Sequence, residues 1–386
     1  MKRAERMQQI QPFHVMALLA RARELEAAGR SIVHMEIGEP DFITPRPVID
    51  AGIRALQDGY THYTPAVGLL ALRERIAEFY QQRYDVKVEP RRIVITPGAS
   101  AALQLVMAVL VNPGDRVLMA DPGYPCNRNF VYLLNGQPLG IPVTAASAYQ
   151  PTPQQVREYW TEAVTALLVA SPSNPTGTLL GEHVLREFHA LAAARGGSLI
   201  VDEIYHGLVY DKQASTALAI SDDVFVVNSF SKYFGMTGWR LGWLVAPDAC
   251  VSDIDKLAQN LFLAAPTVSQ HAALKAFDEE TISILESRRL EFRQRRDYLL
   301  PALRDLGFEI PVIPEGAFYL YANCRRLTDD SYSFTSRLLE EAGVAITPGI
   351  DFGTHQPETH VRFAYTTSLE NLQEGVRRLR EFCSSV

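Results

Sequence analysis

The chain has 386 residues, of which 47% are hydrophobic and 21% charged, as in ordinary globular proteins, and its length suits two or three domains. Its net charge of −7 and pI near 5.8 argue against a nucleic acid or an anionic membrane as partner, because both favour a basic protein face. Any anion-binding site must therefore be formed by a few nearby basic groups and not by an extended basic surface.

The N-terminal region and the cysteines indicate a cytoplasmic protein. The apolar run VMALLA is soon followed by Arg21, Arg23 and Glu24, which argues against a signal peptide, and no apolar run is long enough to span a membrane. Neither a disulfide framework nor a zinc site is expected from four scattered cysteines, Cys126, Cys250, Cys324 and Cys383.

Short apolar runs alternate with helix-like stretches through the first two thirds of the chain. This alternation predicts an α/β domain whose largely parallel sheet is buried on both faces by helices. The predicted strands lie within 92–98, 116–124, 166–177, 198–205 and 224–232, and helices are expected at 99–111 and 181–196.

From about Asp278 the sequence pattern changes, and a second, smaller α+β unit is predicted. A long charged helix is expected first, with a break near Pro301 because proline disrupts a helix interior. Strands within 316–324 and 360–368 and helices at 331–343 and 369–382 complete the unit.

Polar side chains follow the predicted strands, where ligands of open α/β sheets collect. They are Asn174, Asp202, Tyr205, Ser229 and Lys232. Asp202 could instead cap a helix, and Asn174 could be a turn former before proline. A buried carboxylate without a partner is costly, however, so Asp202 needs a cation or good donors.

Lys232 and Arg240 are the only formal charges between Asp223 and Asp248. Lys232 could be an ordinary solvated surface lysine. Its apolar neighbours, however, would lower its pKa and make the amine a nucleophile at neutral pH. The stretch TPGASAAL (96–103) places a glycine before a helix, whose free N–H groups favour a phosphate.

Together these groups match the needs of pyridoxal phosphate. Its aldehyde forms a Schiff base with a lysine amine, and its ring nitrogen pairs with a carboxylate. Its 3-oxygen accepts hydrogen bonds, and its phosphate binds an arginine, hydroxyl groups and backbone N–H groups. The chain resembles the class I/II aminotransferases of the fold type I pyridoxal-phosphate enzymes, which are aspartate aminotransferase-like. The resemblance rests on IGEPDF (37–42), YTPAVGLLALR (63–73), SPSNPTG, VDEIY, SFSKYFGMTGWRLGW, EGAFYLY and VRFAY.

The resemblance implies a fold and a division of the chain. It predicts an α/β fold with a mostly parallel seven-stranded sheet between helices, in a large cofactor-binding domain at 41–280. A smaller α+β domain would combine an N-terminal arm, 1–40, with residues 281–386.

The resemblance also implies residue roles. Lys232 would form the Schiff base and move a proton, Asp202 would pair with the ring nitrogen, and Tyr205 and Asn174 would donate to the 3-oxygen. Tyr124 would stack on the ring. The phosphate would be held by Gly98, Ala99, Ser100, Ser229, Ser231 and Arg240.

On the substrate side, Arg362 resembles the arginine that grips the α-carboxylate through two parallel bonds. Gly38 would close over the substrate beside Asn174. Tyr63 resembles a tyrosine that reaches the neighbouring subunit's phosphate, which implies a homodimer with shared active sites.

The implied reaction is transfer of an amino group from an L-amino acid to a 2-oxo acid, 2-oxoglutarate or pyruvate, by a ping-pong mechanism. In some bacterial relatives that prefer dicarboxylates, a lysine lies in the phosphate loop at what resembles the position of Ser100. This favours a neutral or aromatic donor over aspartate, with apolar pocket walls expected from Phe13, Ile37, Tyr124, Phe262 and Leu263. The alternatives are a C–S β-lyase on the same fold and, more remotely, a non-catalytic cofactor-binding regulator domain, which would carry an added DNA-binding domain.

Overall fold

The computed structural model describes residues 2–384. Its strands are β1 (Val33–His34), β2 (Ile93–Thr96), β3 (Arg116–Asp121), β4 (Gln137–Pro142), β5 (Val164–Ala170), β6 (Ser198–Asp202), β7 (Val224–Ser229), β8 (Gly242–Val245), β9 (Tyr319–Asn323), β10 (Val344–Ala345), β11 (Thr347–Pro348) and β12 (His360–Ala364). Its α-helices are α1 (His14–Ala27), α2 (Arg46–Gln57), α3 (Leu70–Tyr84), α4 (Ala99–Leu110), α5 (Pro125–Leu133), α6 (Pro153–Tyr159), α7 (Glu182–Ala193), α8 (Asp248–Leu261), α9 (Thr267–Ala273), α10 (Glu279–Asp305), α11 (Ser331–Arg337) and α12 (Leu369–Cys383).

A seven-stranded sheet in the order β2-β8-β7-β6-β5-β3-β4 forms the centre of the molecule. Only β8, between β2 and β7, runs antiparallel to its neighbours. Alternate side chains enter two apolar layers: Phe225 and Val227 pack with α4 and α8, whereas Val226 packs with α3 and α7. The predicted α/β fold with a mostly parallel sheet between helices is confirmed.

The carboxyl ends of the central parallel strands lie at one edge of this sheet. Ala170 at the end of β5 is in register with Asp202 at the end of β6, and Asp202 is paired with Val227 near the end of β7. The turns that carry Asn174 and Lys232 therefore start from the same edge as Asp202. The sequence pattern predicted this convergence from the order of strands alone.

The smaller unit contains an antiparallel sheet in the order β11-β12-β9. The N-terminal segment joins it, because β1 pairs in parallel with β10 and the apolar side of α1 packs on Leu339 and Ala345. The division at residues 40 and 280 stays a prediction, and residues 1, 385 and 386 of the predicted ranges lie outside the described residues.

The predicted break near Pro301 is wrong, because α10 continues through Pro301 to Asp305. Pro301 has no N–H, so one helical hydrogen bond to the carbonyl four residues earlier is missing. Only four residues of the helix follow the proline, so the disruption is confined to its last turn. Leu299, Leu300 and Leu303 are buried on either side of it. Tertiary packing therefore holds the last turn in helical form.

No helix between residues 2 and 384 has both the length and the apolar character needed to cross a membrane.

Candidate active site

Lys232 lies in the turn after β7, half-buried among aromatic rings. Its Nζ donates a hydrogen bond to the Gly38 carbonyl at 2.7 Å, and the rings of Tyr205 and Phe318 lie 6.0 and 5.9 Å from it. These contacts hold the amine in a mostly apolar setting at the end of the strand.

Burial lowers the pKa of Lys232 to about 8. The negative charge of Glu39 opposes this shift, whereas the positive charges of Arg362 and Arg240 add to it. A lysine with its ordinary pKa near 10.4 is almost wholly protonated at neutral pH. The lowered pKa gives Lys232 a substantial neutral fraction, which is the nucleophilic and basic form.

Asp202 ends β6 with only 4% of its surface exposed. The Ile204 N–H donates to Asp202 Oδ1 at 3.2 Å. Burial raises the pKa of Asp202 to about 7, and this Ile204 hydrogen bond and the charge of Lys232 oppose the shift. A carboxylate this buried is stabilised by a cationic N–H group, which is what a protonated pyridine nitrogen provides.

Tyr319 joins Tyr205 to the substrate side of the site. The two hydroxyl groups share a hydrogen bond of 2.9 Å, and burial raises the pKa of both tyrosines, so both hydroxyl groups keep their protons at neutral pH. A side chain at Gly38 would place its Cβ 2.0 Å from the Tyr319 hydroxyl oxygen, so only glycine allows this approach. Tyr319 was not predicted as a site residue, although it lies in the quoted EGAFYLY and shares a strand face with Tyr321.

Arg362 is buried on β12 and has neutral partners. Its Nη1 donates to Asn174 Oδ1 at 2.9 Å, while Nη2 donates to the Glu36 carbonyl at 2.5 Å and to Thr347 Oγ1 at 3.2 Å. The ring of Tyr319 lies 4.3 Å from its guanidinium carbon. Between residues 2 and 384, no carboxylate oxygen lies within 4.0 Å of this guanidinium, and its Nε lacks a hydrogen-bond partner. Its charge is thus available to a bound anion.

The predicted phosphate site lies where β2 turns into α4. Gly98 has φ of +82°, and a Cβ there would lie 2.5 Å from Nη2 of Arg240, so the tight turn and the close approach both require glycine. α4 begins at Ala99 and Ser100, whose N–H groups have no partner within the helix.

Arg240, Ser229 and Ser231 lie beside this turn. Together with Gly98, Ala99 and Ser100 they form the predicted phosphate site, which we call the phosphate cup. Arg240 has φ of +50°, is exposed, and donates from Nη1 to the Thr237 carbonyl at 3.0 Å. The Ser231 N–H donates to Ser229 Oγ at 3.0 Å, which orders the turn beside the arginine. Within the described chain, Arg240 forms no ion pair, so a phosphate fits this combination of cation, hydroxyls and helix N–H groups.

The remaining predicted residues lie at different distances from this centre. Tyr124 precedes α5 and meets Phe13 edge-on, with ring centroids 6.4 Å apart. Tyr63, in contrast, is 82% exposed on the surface. Phe262 packs beneath α8 and Leu263 is exposed, and neither lines the cavity beside Tyr124.

A loop at 349–355, which no sequence motif singled out, links three regions around the site. The Asp351 carboxylate accepts from the His14 and Val15 N–H groups at 2.8 Å each, and so fixes the start of α1. The Thr354 N–H and hydroxyl donate to Asp121 at the end of β3. Phe352 lies 4.9 Å from the guanidinium of Arg362. The Asp351 and Thr354 contacts join residues more than two hundred positions apart, beyond the reach of local patterns.

The chain's similarity to known proteins agrees with this geometry. Residues 30–379 match the family model for aminotransferase class I and II. The chain is 40% identical to a (5-formylfuran-3-yl)methyl phosphate transaminase of Methanocaldococcus jannaschii, over 98% of this chain and 99% of the relative. It is 38% identical to a valine–pyruvate aminotransferase of Mycobacterium tuberculosis, over 97% of each.

A solved structure extends the likeness to three dimensions. The aspartate aminotransferase of Thermus thermophilus with maleate superimposes with a TM-score of 0.93 at 33% identity, covering 99% of both chains.

Proposed function

The chain belongs to the class I and II aminotransferases, which depend on pyridoxal phosphate, and on that premise we propose that it transfers the amino group of a neutral or aromatic L-amino acid to a 2-oxo acid. The acceptor is 2-oxoglutarate or pyruvate, and the two half-reactions alternate in a ping-pong mechanism. The residue roles set out below are part of this proposal.

One juxtaposition carries the proposal. Arg362 binds the carbonyl of Glu36 and Lys232 binds the carbonyl of Gly38, so both side chains are anchored to one three-residue segment. An amino acid whose carboxylate lies on Arg362 therefore has its Cα next to the lysine amine. This is the arrangement that proton removal from Cα requires.

Each residue then has a separate task. Lys232, with a pKa lowered to about 8, would hold the aldehyde of the cofactor in the resting enzyme and would move the proton at Cα. Asp202 would keep the ring nitrogen of the cofactor protonated, and Tyr205 and Asn174 would donate to its 3-oxygen. When bound, the cofactor supplies an electron sink for the charge that develops at Cα.

A neutral or aromatic donor is supported by the residues around the site. Phe13 and Tyr124 form an aromatic wall, and Ile37 lies half-buried in the segment that anchors Lys232 and Arg362. Ser100, at the start of α4, gives the phosphate loop no cation for a short acidic side chain. The names of the relatives include valine, aspartate and a phosphate ester, so family membership alone does not select a donor.

A homodimer that shares its active sites is also part of the proposal. Large apolar side chains are exposed in two stretches, Ile43, Ile53, Leu56, Tyr60, Tyr63 and Leu70 in the first and Leu261 and Leu263 in the second. A subunit interface would cover such a surface, and Tyr63 would reach the phosphate of the partner. The four cysteines are free thiols, which agrees with the proposed cytoplasmic location.

A panel of donors and acceptors tests the proposal. We expect neutral and aromatic amino acids to be consumed faster than aspartate, with parallel lines in double-reciprocal plots as in any ping-pong reaction. Aspartate as the preferred donor would contradict the donor assignment. Release of pyruvate and ammonia from cysteine-type substrates without an oxo acid would establish the lyase instead.

A further inference from the structure

A cavity of about 130 Å³ adjoins the site beneath α5. It shares Tyr124 and Asn174 with the proposed cofactor and substrate positions, and its floor is the carboxyl ends of β3 and β5. Asn127 and Arg128 line it from the first turns of α5. The site therefore continues into a side pocket that contains a guanidinium group.

Arg128 is poorly paired for a half-buried arginine. Its hydrogen-bond partner is the Asp351 carbonyl, at 3.5 Å from Nη2, and no carboxylate oxygen within the described part of the chain lies within 4.0 Å. The buried arginines of α10 differ, since Arg295 pairs with Asp41 and Arg296 with Asp211. Most of the five N–H donors of Arg128 are thus free to bind an anion in the cavity.

Two further polar groups line the cavity. Asn127 is 6% exposed, and its Oδ1 has no hydrogen-bond partner among residues 2–384. The carboxylate of Asp121 is already engaged by the Thr354 N–H and hydroxyl, at 3.0 and 2.8 Å. Among residues 2–384, neither this carboxylate nor any other lies within 4.0 Å of the Arg128 guanidinium.

Around the site, the number of arginines without a carboxylate within 4.0 Å in the described part of the chain matches a dicarboxylic substrate. Arg240 lies in the phosphate cup, Arg362 is placed for the α-carboxylate, and Arg128 remains. We infer that Arg128 binds the second carboxylate of the acceptor, which makes a dicarboxylic 2-oxo acid of the 2-oxoglutarate class the preferred acceptor. This inference rests on the proposed function and resolves its choice of acceptor.

The test compares two acceptors of equal length that differ in the terminal carboxylate, 2-oxoglutarate and 2-oxopentanoate. With holoenzyme aminated by a neutral donor, we expect wild type to favour 2-oxoglutarate in kcat/KM. Arg128→Met should reduce this ratio by about 10- to 100-fold, which is the range for losing charge-assisted hydrogen bonds. Arg128→Lys should recover part of the ratio, because it restores the charge without the planar fork.

Binding supplies a readout independent of turnover. Calorimetry with the holoenzyme should give glutarate a lower Kd than pentanoate, and Arg128→Met should remove that difference. The matched control is Arg157→Met, an exposed arginine on α6, which should keep both the kcat/KM ratio and the Kd difference.

Two results would overturn the inference: a wild-type enzyme that does not distinguish 2-oxoglutarate from 2-oxopentanoate, or an unchanged ratio in Arg128→Met. In both cases the proposed transamination would stand if pyruvate or 2-oxopentanoate were aminated. Failure of every oxo acid to accept the amino group would instead refute the proposed function.

Discussion

The two sides of the end of β6 carry adjacent buried carboxyl groups with different surroundings. Asp202 faces the site and Glu203 faces the opposite side, and they are 4% and 0% exposed. Burial raises both pKa values, to about 7 for Asp202 and about 8 for Glu203. By burial and pKa alone, the two groups are nearly equivalent.

Their partners distinguish them. Glu203 accepts from the Ala217 N–H at 2.7 Å and from the Thr216 hydroxyl at 2.9 Å, and it lies 3.3 Å from Nδ1 of His206. Within residues 2–384, the Asp202 carboxylate accepts only from the Ile204 N–H, two residues away. A shifted pKa therefore marks burial, whereas an incomplete set of partners marks the place for a ligand.

The largest loss of turnover should come from a substitution on the side of β6 that faces the active site. Lys232→Ala removes the amine that faces Asp202, and we expect steady-state turnover to fall by about 10⁴-fold while the protein stays folded. Lys212→Ala is the matched control, because Lys212 is exposed and pairs with Glu315. Turnover near the wild-type rate in Lys232→Ala would remove the lysine from the mechanism.

The two carboxyl groups themselves should give opposite phenotypes. Asp202→Ala should reduce turnover by about 100- to 1000-fold and weaken cofactor binding, with little change in the stability of the cofactor-free protein. Glu203→Ala should lower the free energy of unfolding by about 2–4 kcal/mol, because buried donors lose their acceptor and a cavity forms.

Denaturant unfolding and turnover per folded molecule measure the two effects. Glu203→Ala should keep turnover within about threefold of wild type, since its carboxylate touches no predicted site residue. If both variants lost turnover to the same degree, the distinction between the two sides of β6 would fail.

The smallest expected effect is a pH dependence of stability. An acid whose pKa is raised by folding holds a proton that the unfolded chain has released, so stability falls as pH rises from the ordinary pKa near 4 to the folded value. For Glu203 this fall extends to about pH 8 and for Asp202 to about pH 7. Glu203→Gln should therefore flatten the decline in Tm between pH 5 and 8 in the cofactor-free protein. An identical decline in the variant and in wild type would contradict the pKa assigned to Glu203.

The sequence predicted the part of the site that follows strands and failed where contacts are long-range. Asp202 and Lys232 were found because each follows an apolar run whose end must lie at one sheet edge. Tyr319 and Arg128 were missed because their roles depend on neighbours that tertiary packing brings together. Hydrophobic periodicity along the chain does not report such contacts. Pro301 was misjudged for the same reason, since buried leucines around it overrode its local preference.

The central claim is that Lys232 is the amine that holds the cofactor. Borohydride reduction of the holoenzyme, followed by peptide mass spectrometry, tests it directly. The chain has five other lysines, Lys2, Lys87, Lys212, Lys256 and Lys275. We expect the reduced cofactor on the peptide that contains Lys232; its attachment to one of the other five, or an unmodified Lys232, would contradict the account.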